Sequence, residues 1–580
     1  MAPDSRRERI PTRLQILTGV CILCILILAA VFFFWYHPGP VPASQANATV
    51  HVKILAVNDF HGHMPPGQIM NNRPVGSAPV LASYLNAALA SGNKDGTIIA
   101  LPGDVIGGSP PQSGLLLDEP SMLFFNSYAN QYCTVGSNAQ NPSCNMVATL
   151  GNQEFDNGVP ELMRMINGGN GATNITHIVN PYPGAKIGYV SSNVVWTANN
   201  TPVLPPYTFR NVSGVTVAFI GADTKTTPQL QSPANIEGVT FLDEADSINR
   251  YIPEIHKMGV HAIVVLLHEG GNQVQYNGPT TANGTVTGRV AQIIPRLDRD
   301  IDVVLSAHTH EFTNAYLLNA GQKPVLVTQA FMYSRGYANV DLTIDKASGD
   351  VVGYTAQIIP AYADVAPGTS PDPNAAALLA AADGAVGPMM NRVIGVAAGN
   401  ITRAENSAGE SALGDMVADG ERASMKTEVG FEAAGDIQAD LAAGNITWGD
   451  LYAVQPAGGI VMSMNLSGAQ IRQVLERQWQ EPVPQGNLIV SGLSYTWNAS
   501  QPAGSRVTSV NVNGVLLNPN ATYTVSTVGA LAMGGYGYTT FTQGADMTYG
   551  PGDVNALVSY VGSLPQPVNG TAGGRIQRIS

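Results

Sequence analysis

The stretch VNDFHGH, residues 57–63, decides the fold and the chemistry that this sequence predicts. It follows residues 50–57, whose β-branched and partly alternating side chains are typical of a strand. Asp59 and His61 stand two residues apart just after that strand, so both side chains can turn toward one point. Alone this pattern means little, because an Asp after a strand is most often a turn residue.

The same arrangement recurs four more times along the chain. In each case a mostly apolar run of four to six residues is followed by Asp, Asn or His: residues 98–101 before Asp104, 146–150 before Asn152, 262–267 before His268, and 302–307 before His308 and His310. Apolar runs separated by helix-length stretches indicate buried strands in an α/β layer. Ligands of such sheets gather outside the carboxyl ends of the strands. We therefore expect these polar side chains to converge.

The converging side chains predict a site for two divalent metal ions. The predicted ligands are Asp59, His61, Asp104, Asn152, His268, His308 and His310. Carboxylate together with imidazole suits Zn, Mn or Fe better than Mg, which prefers oxygen ligands and water. Seven donors exceed the three or four of a mononuclear zinc site, whereas two metals about 3.5–4 Å apart, bridged by one carboxylate, accommodate them. The alternative is that these residues are turn and core polar groups, and His63 is interpreted in that way.

Four of these segments resemble the motifs of the calcineurin-like metallophosphoesterases, namely residues 58–62, 103–104, 151–156 and 308–310. More narrowly, the chain resembles the 5′-nucleotidase family over about residues 51–577. Further matches lie at residues 410–420, 435–437, 449–452, 455–456 and 466–470. The resemblance implies an α/β fold, with a four-layer α/β/β/α metallophosphoesterase domain followed by a smaller α+β C-terminal domain that binds the nucleoside. It also implies that Asp104 bridges two metals, one held with Asp59, His61 and His310, the other with Asn152, His268 and His308.

Residue 153 departs from the family pattern. The resemblance implies a His at this position, paired with the carboxylate of Asp156, that stabilises the charge developing in the transition state; this chain has Gln153. A Gln amide can donate a hydrogen bond to a phosphoryl oxygen, but it carries no positive charge and cannot transfer a proton. Losing such a group typically costs about 10²–10⁴ in rate. Gln153, Asp156 and Asn152 are therefore the predicted catalytic residues of an impaired enzyme.

The predicted nucleoside pocket departs from the family as well. Gln438 stands where the family has an Arg, and Ala457 and Ala530 stand where it has two aromatic residues that sandwich the base. Gly459 replaces an Asn. Each base–aromatic stack is worth ~1–3 kcal/mol, so nucleoside affinity should fall. The alternative is an alignment shift in which Tyr536 or Tyr538 supplies the aromatic ring.

Length and composition favour two globular domains, because 580 residues exceed what one hydrophobic core usually serves. The predicted divisions are a cytoplasmic tail at 1–13, a transmembrane signal anchor at 14–36, a linker at 37–50, the metallophosphoesterase domain at 51–360, a linker or bridging helix at 361–390 and the substrate domain at 391–577. Within the bridging segment, residues 374–382 predict a short helix that ends at Asp383-Gly384. A net charge of −13 argues against nucleic acid as a partner.

The amino terminus predicts export. Four arginines within residues 6–13 precede an uncharged segment, 14–36, that is long enough to span a ~30 Å hydrocarbon core. Arginines only on the leading side place that end in the cytoplasm and the remainder outside. A cleaved signal is the alternative, with Ser44 and Ala46 as a small-residue cleavage site, and the protein would then be secreted.

Cysteines and sequons agree with an exported chain. Cys133 and Cys144 flank a polar stretch, which predicts a disulfide closing one loop. If the host is eukaryotic, glycans are expected at Asn-x-Ser/Thr sites. These sites are Asn47, Asn174, Asn199, Asn211, Asn283, Asn400, Asn445, Asn465, Asn498, Asn520 and Asn569.

The sequence therefore predicts an exported, metal-dependent phosphomonoester hydrolase of 5′-nucleotidase type with weakened or altered activity. Its partner would be a small phosphorylated substrate, by resemblance a nucleotide, and it would contact the membrane through the amino-terminal helix. The alternative is a catalytically weak or inactive cell-surface binding protein that retains the dimetal site. Intact metal ligands favour the first interpretation, whereas Gln153, Gln438, Ala457 and Ala530 favour the second.

Overall fold

The computed structural model describes residues 48–579 except 92–95, 139, 172–175, 282–284, 457 and 482–486. The predicted cytoplasmic tail and signal anchor, residues 1–36, and most of the first linker lie outside the described residues. Within the described part of the chain, no helix is both long and apolar enough to cross a membrane. The predicted single-pass membrane location is contradicted by this finding.

Two six-stranded sheets form the first half of the molecule. In spatial order, the first sheet contains Val351–Pro360, Gly336–Asp345, Thr49–Ala56, Thr97–Leu101, Met146–Thr149 and Gly188–Val190. The second contains Phe312–Leu318, Pro324–Ala330, Val303–Ser306, Ala262–His268, Val215–Asp223 and Tyr207–Val212. The central strands of both sheets are parallel, with Ile54 opposite Ile98 and Val264 opposite Val303.

The apolar runs are continuous because both faces of each central strand are buried. In the strand Ala262–His268, Val264 and Leu266 pack against the other sheet, in a core shared with Ile54 and Ile98. The alternate residues Val265 and Leu267 pack outward, against the helix Glu244–Lys257. The first sheet is covered on its outer face in the same way by the helix Ala78–Ser91. These layers run helix, sheet, sheet, helix, which confirms the predicted four-layer fold.

The second half is a smaller α+β unit. Its five-stranded sheet has the order Leu488–Ser491, Val429–Ala433, Thr522–Val528, Ile460–Ser467 and Ala545–Gly552. A four-stranded sheet has the order Val515–Leu516, Val507–Val512, Leu493–Asn498 and Ile576–Ile579. Short strands pair as Gln68–Met70 with Arg73–Val75, Val194–Trp196 with Val239–Phe241, and Val393–Ala397 with Gly444–Thr447. The remaining helices are Pro111–Gly114, Glu119–Asn126, Val159–Asn167, Thr227–Leu230, Val290–Ile293, Pro373–Met390, Ala412–Met425, Trp448–Val454, Gly468–Arg477, Gly529–Ala532 and Asp553–Ser563.

The helix between the two halves is longer than the sequence predicts. It begins after Asp372, whose carboxylate accepts from the N–H groups of Asn374 and Ala375, and it runs through Asp383-Gly384 to Met390. Ala382 and Val386 are buried against Leu116 beyond the expected end. Tertiary packing therefore overrides the weak helix propensity of the Asp-Gly pair.

The predicted disulfide between Cys133 and Cys144 is confirmed. Both cysteines are buried at the edge of the outer core of the first sheet. Cys144 lies two residues before the strand Met146–Thr149, so the cross-link ties a surface loop to the start of a strand that leads into the candidate site. Eight of the predicted glycosylation sites lie within the described residues, and glycosylation stays a prediction.

We expect the double variant Cys133→Ser/Cys144→Ser to lose about 2–3 kcal/mol of unfolding free energy in the first domain, because the cross-link closes a short loop of the unfolded chain. The measurement is the urea midpoint of that domain with and without reductant. Reductant should bring the unmodified protein to the midpoint of the double variant and leave the double variant unchanged. Two free thiols at these positions in the purified protein would contradict the cross-link.

Candidate metal centre and its cleft

The ends of strands from both sheets meet at one edge of the molecule. Asp59, His61 and Asp104 follow strands of the first sheet, and His268, His308 and His310 end or follow strands of the second. A direct link joins the two sets, because the carboxylate of Asp59 accepts from the N–H of His308 at 2.9 Å. The convergence that the apolar runs predicted is therefore present in the structure.

The first donor group contains Asp59, His61, Asp104 and His310, with one ligand atom from each lying within 4.8 Å of the others. The Nε2 atoms of His61 and His310 are 3.0 Å apart. His61 Nδ1 lies 2.9 Å from the carbonyl oxygen of Gly107, which can only accept, so Nδ1 carries the proton and Nε2 presents a lone pair. Burial lowers the pKa of His310 to about 3, which leaves it neutral. Imidazole nitrogens oriented in this way suit a cation.

The second donor group contains Asp104, His268 and His308, under the same 4.8 Å limit. His268 Nε2 lies 3.1 Å from Asp104 Oδ2 and 3.2 Å from Asn152 Oδ1. Its Nδ1 atom lies 3.0 Å from the carbonyl oxygen of Pro102. Burial lowers the pKa of His268, but Asp104 outweighs this effect and raises that pKa well above its usual range. A cation at Nε2 would compete with a proton for the same lone pair. Asp104 belongs to both groups.

The backbone at this edge is strained. Five donors have positive φ: Asp59 at 49°, His61 at 46°, Asp104 at 48°, His308 at 76° and His310 at 62°. Such values are uncommon outside glycine and concentrate at functional sites. Gly103 and Gly151 make the close approach possible, because a Cβ at Gly103 would lie 2.4 Å from His268 Nδ1 and one at Gly151 would lie 2.3 Å from Asp104 Oδ1.

Two buried side chains that the sequence analysis gave no role hold the loops in place. The carboxylate of Glu154 accepts from the N–H groups of Asp104 at 2.9 Å, Val105 at 2.8 Å and Gly151 at 2.5 Å, which joins the loops after two neighbouring strands. Asn58 donates to the carbonyl of Phe331 at 2.6 Å and accepts from the N–H of Ala330 at 2.8 Å. Both residues lie inside sequence motifs quoted above, at 58–62 and 151–156, and that position was the sequence signal for a role.

The charge balance also suits cations. Burial raises the pKa of Asp59 to about 6 and raises that of Asp223, which is close to His268, well above its usual range. Carboxylates crowded in a water-poor site cost free energy unless positive charge compensates them. Aspartate and histidine donors at these distances therefore fit two divalent transition metals, with Asp104 shared between them.

Gln153 and Asp156 lie beside the centre but are not paired in the way the family pattern implies. The N–H of Gln153 donates to Asp104 Oδ1 at 2.9 Å, and its side-chain oxygen is buried without a hydrogen-bond partner in the described part of the chain. Asp156 accepts from the N–H of Gly108 at 2.9 Å and from Gln231 Nε2 at 2.6 Å. Burial raises the pKa of Asp156 to about 7.

Gln231 is a site residue that sequence reasoning missed. It is 2% exposed, and its amide nitrogen donates both to Asp156 and to the carbonyl oxygen of Asn152, the latter at 3.0 Å. The side chain thus links the predicted catalytic carboxylate of Asp156 to the loop that carries the predicted metal ligand Asn152. No motif marks Gln231, because it follows the four-residue helix Thr227–Leu230 and no strand end precedes it.

A cleft of about 420 Å³ lies between the two halves of the molecule, beside the centre. Gln153, Asp156 and Asn152 line it on one side, and Gly459 and Ala530 on the other. The predicted substrate-binding residues Gln438 and Tyr536 lie outside this cleft. Gln438 is exposed and donates to the carbonyl of Gly435, while Tyr536 donates to Asp436 at 2.5 Å, and neither lines the cleft.

The structure also shows where Tyr538, the alternative aromatic residue, lies. Tyr538 is fully buried in the C-terminal core and cannot stack on a base from the cleft. Among the described lining residues, the aromatic ring is that of Tyr549, on the strand Ala545–Gly552. Ala457 lies outside the described residues.

Comparisons with known proteins agree with this geometry. Residues 52–312 match the family model described as calcineurin-like phosphoesterase, and residues 393–543 match the model described as 5′-nucleotidase, C-terminal domain. Endonuclease YhcR of Bacillus subtilis is 33% identical over 91% of this chain, which spans 41% of YhcR. Cell wall protein Lmo0130 of Listeria monocytogenes is 29% identical over 93% of this chain and 70% of its own length. The crystal structure of a 5′-nucleotidase precursor from Thermus thermophilus covers 91% of this chain and 99% of its own, with 26% identity and a TM-score of 0.58.

We expect close to two divalent transition metals per chain after loading, measured by elemental analysis on desalted protein. Asp104→Ala should lower the content toward zero, because this residue belongs to both donor groups. His268→Ala should remove about one equivalent, because this residue belongs to one group. The control is His261→Ala, an exposed histidine outside the centre, which should leave the content unchanged. A loaded protein that holds no metal would contradict the proposed centre.

Proposed function

Because the chain belongs to the 5′-nucleotidase family of calcineurin-like phosphoesterases, we propose that it hydrolyses phosphomonoesters at the candidate metal centre, with a nucleotide as the substrate that the family suggests. The observation that carries this proposal is the pair of donor groups that share Asp104 beside an open cleft. A cleft of about 420 Å³ is within the size range of small-molecule sites.

The proposed ligands are Asp59, His61, Asp104 and His310 for one metal, and Asp104, Asn152, His268 and His308 for the other. Bound divalent cations supply Lewis acidity toward a phosphoryl oxygen and lower the pKa of water. Asn152 places its amide oxygen beside His268, and Glu154 holds the loop of Asp104 at the distance that sharing requires. The protein's own contribution is therefore the positioning of donors on rigid strand ends.

Gln153 and Asp156 lie on the side of the site that faces the cleft. The Gln153 amide can donate a hydrogen bond to a phosphoryl oxygen, but it offers no positive charge. Asp156, with its pKa near 7, can hold a proton at Oδ1 or Oδ2 close to neutral pH while Gln231 and Gly108 fix its orientation. We expect hydrolysis that is weakened relative to a site with His at position 153.

Export is part of the proposal. The disulfide between Cys133 and Cys144 supports an oxidising compartment, since such cross-links are rare in the cytosol of mesophiles. Lmo0130, a relative described as a cell wall protein, is compatible with action outside the cell. YhcR is described as an endonuclease, but the net charge of −13 disfavours a polynucleotide substrate for this chain.

A non-catalytic surface protein that keeps its metals and binds a ligand is the second candidate. The observation in its favour is Gln153, whose side-chain oxygen lacks a partner in the described residues where the family pattern implies a charged imidazole. The two candidates differ in one measurable property, which is phosphate release by the metal-loaded protein.

We expect Gln153→His to raise turnover of para-nitrophenyl phosphate by about 10²-fold or more, because a histidine beside Asp156 can supply the charge and the proton that glutamine lacks. The measurement is steady-state kinetics at full metal occupancy. Gln229→His is the matched control, since Gln229 lines the same cleft and is exposed. A general effect of an added imidazole would raise both variants equally.

The result also decides between the two candidates. If neither the unmodified protein nor Gln153→His releases phosphate from any ester, with metal content confirmed, the weakened-enzyme proposal fails and the binding protein takes its place. A rise confined to Gln153→His supports the enzyme.

A further inference from the structure

The wall of the cleft that comes from the C-terminal half is apolar. It is built from Ile460, Met462, Met533 and Tyr549, together with short or absent side chains at residues 458–459 and 529–530. Met462 is 2% exposed and lies on the strand Ile460–Ser467, so its position is set by the sheet and not by a loose loop. Thioether side chains adapt to apolar groups of different shapes.

Basic side chains are missing from the described lining of this cleft. Among the described lining residues there is no Lys or Arg, and the acidic side chain there is Asp156, whose pKa burial raises to about 7. Directly behind the wall, Asp553 accepts from the N–H of Gly459 at 2.8 Å, so a second acidic side chain lies next to the wall. Arg403, beside Gln438, does not line the cleft, because it donates to the carbonyls of Ile437 and Gln438.

Resting on the function proposed above, we propose that this cleft selects phosphomonoesters whose leaving group is uncharged and largely apolar, and disfavours substrates that carry a second phosphate. A second phosphate in the cleft would meet methionine side chains and a carboxylate without a cationic partner, which costs desolvation. An apolar leaving group would instead replace water against Ile460, Met462 and Met533.

The described side chains that line the cleft offer few hydrogen-bonding groups that could distinguish one nucleobase from another. Gln231 is engaged by Asp156 and Asn152, and the Gln153 amide is assigned above to a phosphoryl oxygen, so Gln229 is the remaining glutamine amide among the described lining residues. Tyr549 offers an aromatic face without a defined hydrogen-bonding pattern for one base. Nucleoside monophosphates should therefore be accepted with weak discrimination between bases, as substrates with a flat apolar surface.

Binding is tested first, without turnover. Methyl-, butyl- and hexylphosphonate carry one anionic head for the metals and no ester bond, and their affinities for the metal-loaded protein are measured by titration calorimetry. Each buried methylene should tighten binding about fourfold, which gives roughly fifteenfold from butyl to hexyl. Affinity that does not change with chain length would overturn the proposal.

Turnover is tested second, with hexyl phosphate, glycerol phosphate, AMP and ADP. We expect kcat/KM for hexyl phosphate to exceed that for glycerol phosphate, and kcat/KM for AMP to exceed that for ADP, each by at least about tenfold. A preference for ADP over AMP would also overturn the proposal. If hexylphosphonate binds with the expected length dependence but no ester is hydrolysed, the proposed function fails while the assignment of the cleft stands.

Met533→Arg is the decisive variant, because it places a cation in the apolar wall. It should weaken hexylphosphonate binding about tenfold and raise the ratio of ADP to AMP hydrolysis. Met258→Arg is the matched control at an exposed methionine outside the cleft, and it should change neither quantity. Equal responses of the two variants would contradict a role for the wall in selection.

Discussion

Asp104 is the residue on which the arrangement of the site depends, because two sets of donors from two sheets need the same carboxylate. Its Oδ2 atom lies 3.1 Å from His268 and 3.5 Å from His61, while its Oδ1 accepts from the N–H of Gln153. Such sharing requires the loops after several strands to approach more closely than side chains usually allow. Gly103 and Gly151 leave that space, and Glu154 binds the loop N–H groups that would otherwise lack partners.

The two halves of the molecule supply different chemistry to one cleft. The first half contributes carboxylates, imidazoles and amides fixed by buried strands, whereas the second contributes an apolar wall with methionine and tyrosine. Gln153 in place of histidine removes charge from the side that would act on phosphorus. The absence of basic lining among the described residues removes charge from the side that would hold the leaving group. These two features carry the proposal of weakened hydrolysis and an altered substrate.

Much of the first half could be predicted from residues alone. Fully apolar runs such as residues 262–267 predict strands buried on both faces, and the polar residues after them predict a shared edge. Gln231 could not be predicted, because its role depends on a fold-level contact with Asp156 across 75 residues of chain. The length of the helix Pro373–Met390 was missed for a similar reason, since packing of Ala382 and Val386 outweighs a local Asp-Gly signal. In the C-terminal half, motif position alone did not show that Gln438 and Tyr536 bond to Gly435 and Asp436 outside the lining of the cleft, and their role in substrate binding stays a prediction.

The central claim is that strand ends from two sheets hold two metals through one shared carboxylate. Anomalous diffraction from crystals loaded with Mn²⁺ or Zn²⁺ tests it most directly. The account predicts two anomalous peaks about 4 Å apart, one among Asp59, His61, Asp104 and His310 and the other among Asp104, Asn152, His268 and His308. A single peak that Asp104 does not contact, or no peak at this edge of the sheets, would contradict it.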